Sequence, residues 1–223
     1  MVSITTELKL INDGPGPAQL NMHKDAMLLA EGIPVLRFYT WDQKSFSIGY
    51  LQSVEEVKKK LGHADQNCPV VRRITGGGVV EHGNDLTFSL VLPYPLAWEL
   101  GDVRSSYRVI HDMVLEIMNS INRENIGLWQ INQKLSFSLC PDAYKPKANE
   151  RKSYFCFEKP TQYDIMFKGI KIGGGAQRRT EGKFLHQGSL QVTMDPVAKD
   201  FLMRSFHDRL KNFLKLTPLI AQK

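Results

Sequence analysis

The 223-residue chain is 42% hydrophobic and 23% charged, with a formal net charge of +6, which suits one large soluble domain or two small ones around a real core. No apolar run approaches the roughly 20 residues of a membrane helix, and the N-terminus has no basic segment leading into an apolar core, so neither a membrane span nor a signal peptide is expected. Three cysteines, Cys68, Cys140 and Cys156, cannot all pair within one chain and show no zinc spacing, so a reducing cytoplasm is the expected setting.

Residues 18–31 read as a helix, with Met22, Ala26 and Leu29 on one face and Gly32 to end it. Asp25 lies on that face. It needs a partner if buried, and the expected placement is at the edge of the face, in water. Two strands are predicted next, Val35–Trp41 and Phe46–Leu51, with Asp42–Ser45 as a turn between them. A short helix over Val54–Leu61 and a strand over Pro69–Arg73 lead into Ile74-Thr75-Gly76-Gly77-Gly78. Three glycines in a row can present N–H groups to an anion, lie against an extended ligand, or form a wide hairpin loop. The stretch is neither a P-loop nor GxGxxG. Arg72 and Arg73 point to opposite faces, so one of the two can enter a pocket. A further strand is predicted over Leu86–Leu92.

Asp102 is a candidate N-cap for a long helix with the stripe Val103, Tyr107, Ile110, Val114, Ile117 and Ile121. His111 falls on its polar side, where solvent is expected. Residues 141–153, rich in Lys and Pro, read as a loop. Cys156 follows between Phe155 and Phe157 and on composition reads as core filler. Alternation around Lys168-Gly169 predicts a β-hairpin with a two-residue turn, which pairs Met166 with Lys171. On its second strand Lys171, Gly173, Gly175 and Gln177 are expected to share one face, either a solvated one or one overlooking a groove. The last helix starts at Asp195-Pro196, with Leu202, Phe206, Leu210 and Phe213 as its stripe.

At this point a family resemblance carries further than the residue patterns. Arg72-Arg-Ile-Thr-Gly-Gly-Gly78, with His82 and Gly83-Asn-Asp-Leu-Thr-Phe88 behind it, resembles the glycine-rich motif of the lipoate–protein ligase and octanoyltransferase superfamily. Lys171-Ile-Gly-Gly-Gly-Ala-Gln177 resembles its lysine motif, and Leu185-His-Gln-Gly-Ser-Leu190 the strand that follows. The helix bearing Asp25 and the stretch Ser47–Gln52 also fit, so the likeness covers about 20–195. It implies an α/β fold of the α+β type, a single catalytic domain over 1–223. A mixed, mostly antiparallel sheet is flanked by helices, as in biotin–protein ligases. It implies transfer of an octanoyl or lipoyl group to a lysine of a lipoyl carrier domain.

Cys156-Phe-Glu-Lys-Pro160, with Tyr163-Asp164 where many ligases carry Asn-Asp, resembles the cysteine segment of the LipM-type octanoyltransferases. The resemblance therefore places catalysis on Cys156 and Lys171. It places substrate binding on Arg72, Arg73, Thr75, Gly76, Gly77, Gly78, His82, Gly173, Gly174, Gly175, Ala176 and Gly188, with no metal ligand. In the transferase reading the donor is acyl carrier protein, and no cofactor is needed. The acceptors are lipoyl domains of 2-oxoacid dehydrogenase complexes or the glycine cleavage H protein. In the ligase alternative ATP and Mg²⁺ make an acyl-adenylate. Two departures stand out: Gln187-Gly188 replaces the usual His-Gly, with His186 one place early and so on the opposite strand face, and Gly175 replaces a common serine. The remaining alternative is a basic nucleic-acid-binding module. Its clusters, Lys58–Lys60, Arg72-Arg73, Lys145–Lys152 and Arg178-Arg179, are scattered and lack interleaved aromatics, so nucleic acid is not the expected partner.

Overall fold

The computed structural model describes residues 7–126, 136–141 and 154–216. In chain order its elements are β1 (Lys9–Gly16), α1 (Ala18–Glu31), β2 (Val35–Trp41), β3 (Ser45–Ile48), α2 (Val54–Lys60), β4 (Val70–Arg72), β5 (Val80–His82), β6 (Leu86–Pro93), α3 (Tyr94–Ala97), α4 (Val103–Glu124), β7 (Phe137–Leu139), β8 (Ile165–Phe167), β9 (Ile170–Thr180), β10 (Lys183–Leu190) and α5 (Pro196–Phe213). Seven strands form one sheet in the order β1-β2-β6-β10-β9-β8-β7, and β4-β3-β5 form a smaller one. The pairs β1–β2 and β3–β4 are parallel, and the others are antiparallel.

The large sheet has two buried faces of opposite character. Alternation along β2, β6 and β10 sends Leu36, Phe38, Leu86, Phe88, Leu90, Leu92, Phe184 and Leu190 to one side, where α4 and α5 complete an apolar core with Ile110, Val114, Ile117, Leu202, Phe206 and Leu210. The intervening residues Arg37, Tyr39, Thr87, Ser89, Gln187 and Ser189 are buried too, although most are polar. They face α1 and the small sheet. Burying polar groups is tolerable when each is hydrogen-bonded, and this polar face is where the candidate site lies.

Helix ends follow the sequence chemistry. Asp102 Oδ1 accepts from Ser105 N at 2.7 Å and Asp195 Oδ1 from Ala198 N at 2.8 Å, capping α4 and α5. Gly32 ends α1 with φ 69°. The Lys168-Gly169 turn has both residues at positive φ, 48° and 78°, as the expected tight hairpin requires.

Several expectations are corrected. The strand expected over Phe46–Leu51 runs over Ser45–Ile48, taking Ser45 from the expected turn, and it lies in the small sheet while β2 joins the large one. Strands β1, β5 and β7 were not anticipated. Val103 and Phe213, assigned to apolar stripes, are 53% and 36% exposed, and each is a terminal residue of its helix. The loop expected over 141–153 lies outside the described residues past Pro141.

Candidate active site

Asp25 is fully buried rather than at a wet edge. Its Oδ1 accepts from Arg37 Nη1 (2.6 Å) and Ser89 Oγ (2.7 Å), and its Oδ2 from Tyr39 Oη (2.8 Å) and Gln187 Nε2 (2.7 Å). The alternation of β2, β6 and β10 delivers these partners, so both buried carboxyl oxygens are hydrogen-bonded without water. Gln187 passes the network on. With Nε2 committed to Asp25, its Oε1 accepts from Thr75 Oγ1 at 2.7 Å. Thr75 thereby anchors the start of the glycine-rich turn.

A second network ties the far side of that turn. His82 Nδ1 faces Asp85 Oδ2 at 2.8 Å, and Nε2 faces Ser47 Oγ at 2.6 Å. A carboxylate only accepts, so Nδ1 carries the proton and Nε2 accepts the Ser47 hydroxyl. Ser47 Oγ in turn accepts from Arg73 Nη1 at 2.7 Å, and Arg73 Nη2 reaches the carbonyls of Gly76 and Gly78. Arg73 is the inward member of the arginine pair. Arg72 turns outward to the carbonyls of Tyr50 and Gln52. Within the turn, Gly77 needs positive φ (95°). Gly78 needs the lack of a side chain, since a Cβ there would lie 2.7 Å from Tyr154 O and 3.2 Å from Cys156 Sγ.

Cys156 reaches the turn through a parallel bridge. Cys156 N donates to Val79 O at 2.8 Å, and Val79 N donates to Tyr154 O at 2.9 Å. The sulfur accepts the Gly78 N–H at 3.0 Å, so Cys156 is half-buried beside the glycines and is not core filler. From β9, Lys171 Nζ donates to Cys156 O at 2.9 Å and pairs with Asp164 Oδ2 at 2.8 Å.

The face carrying Lys171 differs from the expected one. Met166 pairs with Lys171 and Ile165 with Gly173, leaving Ile172 as an extra residue in β9. Such a bulge reverses the alternation beyond it. A Cβ on Gly174 would lie 2.7 Å from Lys171 Cε, whereas one on Gly173 would meet Leu190 and Ile165, and one on Gly175 would run into His186. Lys171 therefore shares its side with Gly174 and Ala176, while Gly173, Gly175 and Gln177 face α4.

These groups enclose a cavity of about 60 Å³, several times the roughly 10–15 Å³ that one water needs. Of the expected residues, Arg73, Gly77, His82, Cys156, Lys171, Gly174, Gly175, Ala176 and Gly188 line it. Thr75 and Gly78 act one step behind the wall, Gly173 faces the core, Gly76 has open space around it, and Arg72 turns outward and does not line it. Not anticipated were Met22, Tyr39, Trp41, Ser47, Thr87, Gln187 and Ser189. For Tyr39, Trp41, Thr87, Gln187 and Ser189 the signal is alternation with apolar residues along β2, β6 and β10, whereas Met22 lies on α1 and Ser47 on β3. Among the described residues no group of three or more His, Cys, Asp and Glu side chains is placed to hold a metal ion.

Behind the sheet, His186 points away from the cavity, as its offset position predicts, and stacks on Phe88. His111 is 2% exposed rather than solvated, and its Nδ1 donates to Tyr163 O at 2.7 Å. Burial pulls His82, His111 and His186 below the ordinary 6.5. Asp85 opposes this at His82, the Tyr163 carbonyl opposes it at His111, and His111 reinforces it at His186. The unfolded chain takes up protons at these rings as pH falls below about 6.5, while the folded chain does not. Stability is thus whole above that pH and falls below it, by up to about 1.4 kcal/mol per pH unit for each ring. The thermal midpoint should be level from about pH 8 to 7 and drop between about pH 6.5 and 5. A midpoint flat across that window would show that the folded rings protonate freely.

The family described as the lipoyl protein ligase A/B catalytic domain matches residues 18–218. The octanoyltransferase LipM of Kyrpidia tusciae is 30% identical over 214 residues, covering 94% of this chain and 74% of that protein. That of Staphylococcus aureus is 31% identical over 227 residues, covering 99% and 78%. Among solved structures, a lipoate-protein ligase A bound with ATP has a TM-score of 0.62 at 22% identity, covering 94% of this chain and 85% of that one. The bipartite lipoate protein ligase of Thermoplasma acidophilum has 0.56 at 20% identity, covering 94% and 81%. These structures share the fold, a mixed sheet flanked by helices. With the family match running from the start of α1 past the end of α5, this chain belongs to the lipoyl protein ligase A/B catalytic-domain family.

Proposed function

We propose that the chain is an octanoyltransferase of protein lipoylation that works through a thioester on Cys156. The observation that carries this is that Cys156 and Lys171 both line the cavity, with the Gly78 N–H on the Cys156 sulfur and the Lys171 ammonium on the Cys156 carbonyl. The full-length relatives named octanoyltransferases support the same reaction class. The donor is octanoyl-acyl carrier protein. The acceptor is a lysine of a lipoyl domain, from a 2-oxoacid dehydrogenase complex or the glycine cleavage H protein.

In the first half-reaction the Cys156 sulfur attacks the octanoyl carbonyl as thiolate. The new C–S bond forms, the donor C–S bond breaks, and the carrier thiol leaves with the Cys156 proton. The Gly78 N–H donates to the sulfur at 3.0 Å and holds it beside the glycine turn. The Lys171 ammonium, held against the Cys156 backbone, steadies the oxyanion that forms at the carbonyl. In the second half-reaction the neutral acceptor amine attacks the Cys156 thioester. The amide C–N bond forms, the C–S bond breaks, and the amine proton returns to the thiol.

The acyl group arrives activated, so neither half-reaction uses ATP or Mg²⁺. In this reading the cations beside the cavity serve the glycine turn and the Cys156 segment. Arg73 is held by the oxygens of Ser47, Gly76 and Gly78, and Lys171 by Asp164 and the Cys156 carbonyl. Intact-protein mass spectrometry tests the reading. Incubation with octanoyl-acyl carrier protein should add one octanoyl group, on the peptide containing Cys156, and a lipoyl domain should then discharge it. No adduct, with pyrophosphate released from ATP and lipoate, would overturn the thioester route in favour of the ligase.

A further inference from the structure

We infer that His111, on α4 and outside the cavity, is a positioning residue for Lys171, acting through the Tyr163 carbonyl and Asp164. This rests on the thioester reading and extends the site to a helix that the sequence left without chemistry.

Tyr163 has φ 66°, in the left-handed region. For a side chain of its size this is uncommon, and such strain persists where the surroundings over-determine the backbone. Here they do. Tyr163 N donates to Cys140 O at 3.0 Å, Cys140 N to Asp164 O at 2.8 Å, and Asp164 N to Thr161 O at 3.1 Å. These bonds hold the segment at the end of β7. The Tyr163 carbonyl is tied from the other side by His111 Nδ1 at 2.7 Å. A carbonyl only accepts, so His111 is the tautomer with the proton on Nδ1. The ring is packed edge-on between Tyr107 and His186, with centroids 5.9 Å and 5.2 Å away, so its N–H direction is fixed.

The next residue receives the benefit. Asp164 Oδ2 accepts from Thr161 N (2.6 Å) and Thr161 Oγ1 (2.9 Å) and takes Lys171 Nζ at 2.8 Å. Lys171 then reaches the Cys156 carbonyl. A continuous chain of polar contacts thus runs from α4 to the reacting segment. Loss of the His111 bond lets the strained Tyr163 peptide relax, turns Asp164, and displaces the ammonium from the place where an oxyanion forms. Misplacement by about 1 Å can cost on the order of 100-fold in rate.

The test uses three variants of the full chain. His111→Asn keeps an N–H at the Nδ1 position. His111→Gln offers one only at the Nε2 position. His111→Leu removes it. Octanoyl loading of Cys156 and transfer to a lipoyl domain are followed at pH 8, with the thermal midpoint beside them. Gln and Leu should lower kcat about tenfold to a hundredfold, with KM for the acyl carrier unchanged, and Asn should recover most of kcat. Because Asn and Gln both keep an amide in the pocket, the comparison survives if Leu fails to fold. A kcat that follows the thermal midpoint rather than the donor position would leave His111 purely structural and overturn the inference. So would equal kcat in the Asn and Gln variants. Wild-type protein that never forms the octanoyl adduct would overturn the parent reading as well, and is told apart because the failure appears before any substitution.

Discussion

Cys156→Ala is expected to lose the octanoyl adduct and to cut transfer from octanoyl-acyl carrier protein by about 10³-fold or more, since a thioester route has no substitute for its nucleophile. The fold should survive. The sulfur is half-buried and accepts one N–H, from Gly78, and one such bond contributes about 0.5–1.5 kcal/mol. For a chain of this size that is a thermal midpoint shift of a few degrees, about 2–4 °C per kcal/mol. Cys156→Ser should be nearly as inactive while keeping the Gly78 contact, because a hydroxyl is far from ionised at neutral pH. The pair therefore separates nucleophilicity from packing. Transfer at the wild-type rate by the alanine variant would remove Cys156 from the chemistry.

What the sequence made legible depended on how local its cause was. The caps Asp102 and Asp195, the turn Lys168-Gly169 and the Gly32 stop are each set by one or two residues, and all four stand as expected. Strand β1 was hidden because Asn12-Asp-Gly-Pro-Gly16 has the chemistry of a turn. It is tolerated as an edge strand with a register shift between Asn12 and Pro15. The bulge at Ile172 was hidden because it is a property of the pairing with β8, not of β9, and missing it grouped Lys171 with Gly173, Gly175 and Gln177 instead of Gly174 and Ala176. Asp25 and His111 share a different cause. A lone polar residue on a helix face is read as solvated, and what overrides that is a partner supplied by a distant segment: Arg37, Tyr39, Ser89 and Gln187 for one, the Tyr163 carbonyl for the other. Residues of the glycine and lysine motifs line one cavity. The cavity's inner wall comes from strands β2, β6 and β10; Tyr39 and Trp41 carry no motif, and Thr87, Gln187 and Ser189 lie inside the quoted family stretches without having been assigned to the site.

Lys171→Met is expected to lower transfer by about 10²–10³-fold, the scale for removing a preorganised group that meets developing negative charge. It should also destabilise the chain. Asp164 is 3% exposed, and taking away one member of a buried ion pair typically costs about 3–5 kcal/mol, because the other charge is left uncompensated. Activity lost through partial unfolding would then imitate activity lost through electrostatics. The double variant Lys171→Met with Asp164→Asn separates the two. It removes both charges, and the Asn side-chain oxygen can still accept from Thr161 N and Oγ1, so stability should largely return while transfer stays low. Gly174→Ala approaches the same point sterically. Its Cβ would lie 2.7 Å from Lys171 Cε, 2.9 Å from Nζ and 2.8 Å from Asp164 Oδ1, so both charges remain but must move apart. Transfer should fall in that variant too, with a smaller loss of stability than in Lys171→Met. Thermal midpoints and octanoyl-loading rates measured on the three variants give a definite pattern: stability restored in the double variant, loading depressed in all. A double variant that is stable and loads octanoyl at the wild-type rate would show that the ammonium holds the fold and takes no part in the reaction.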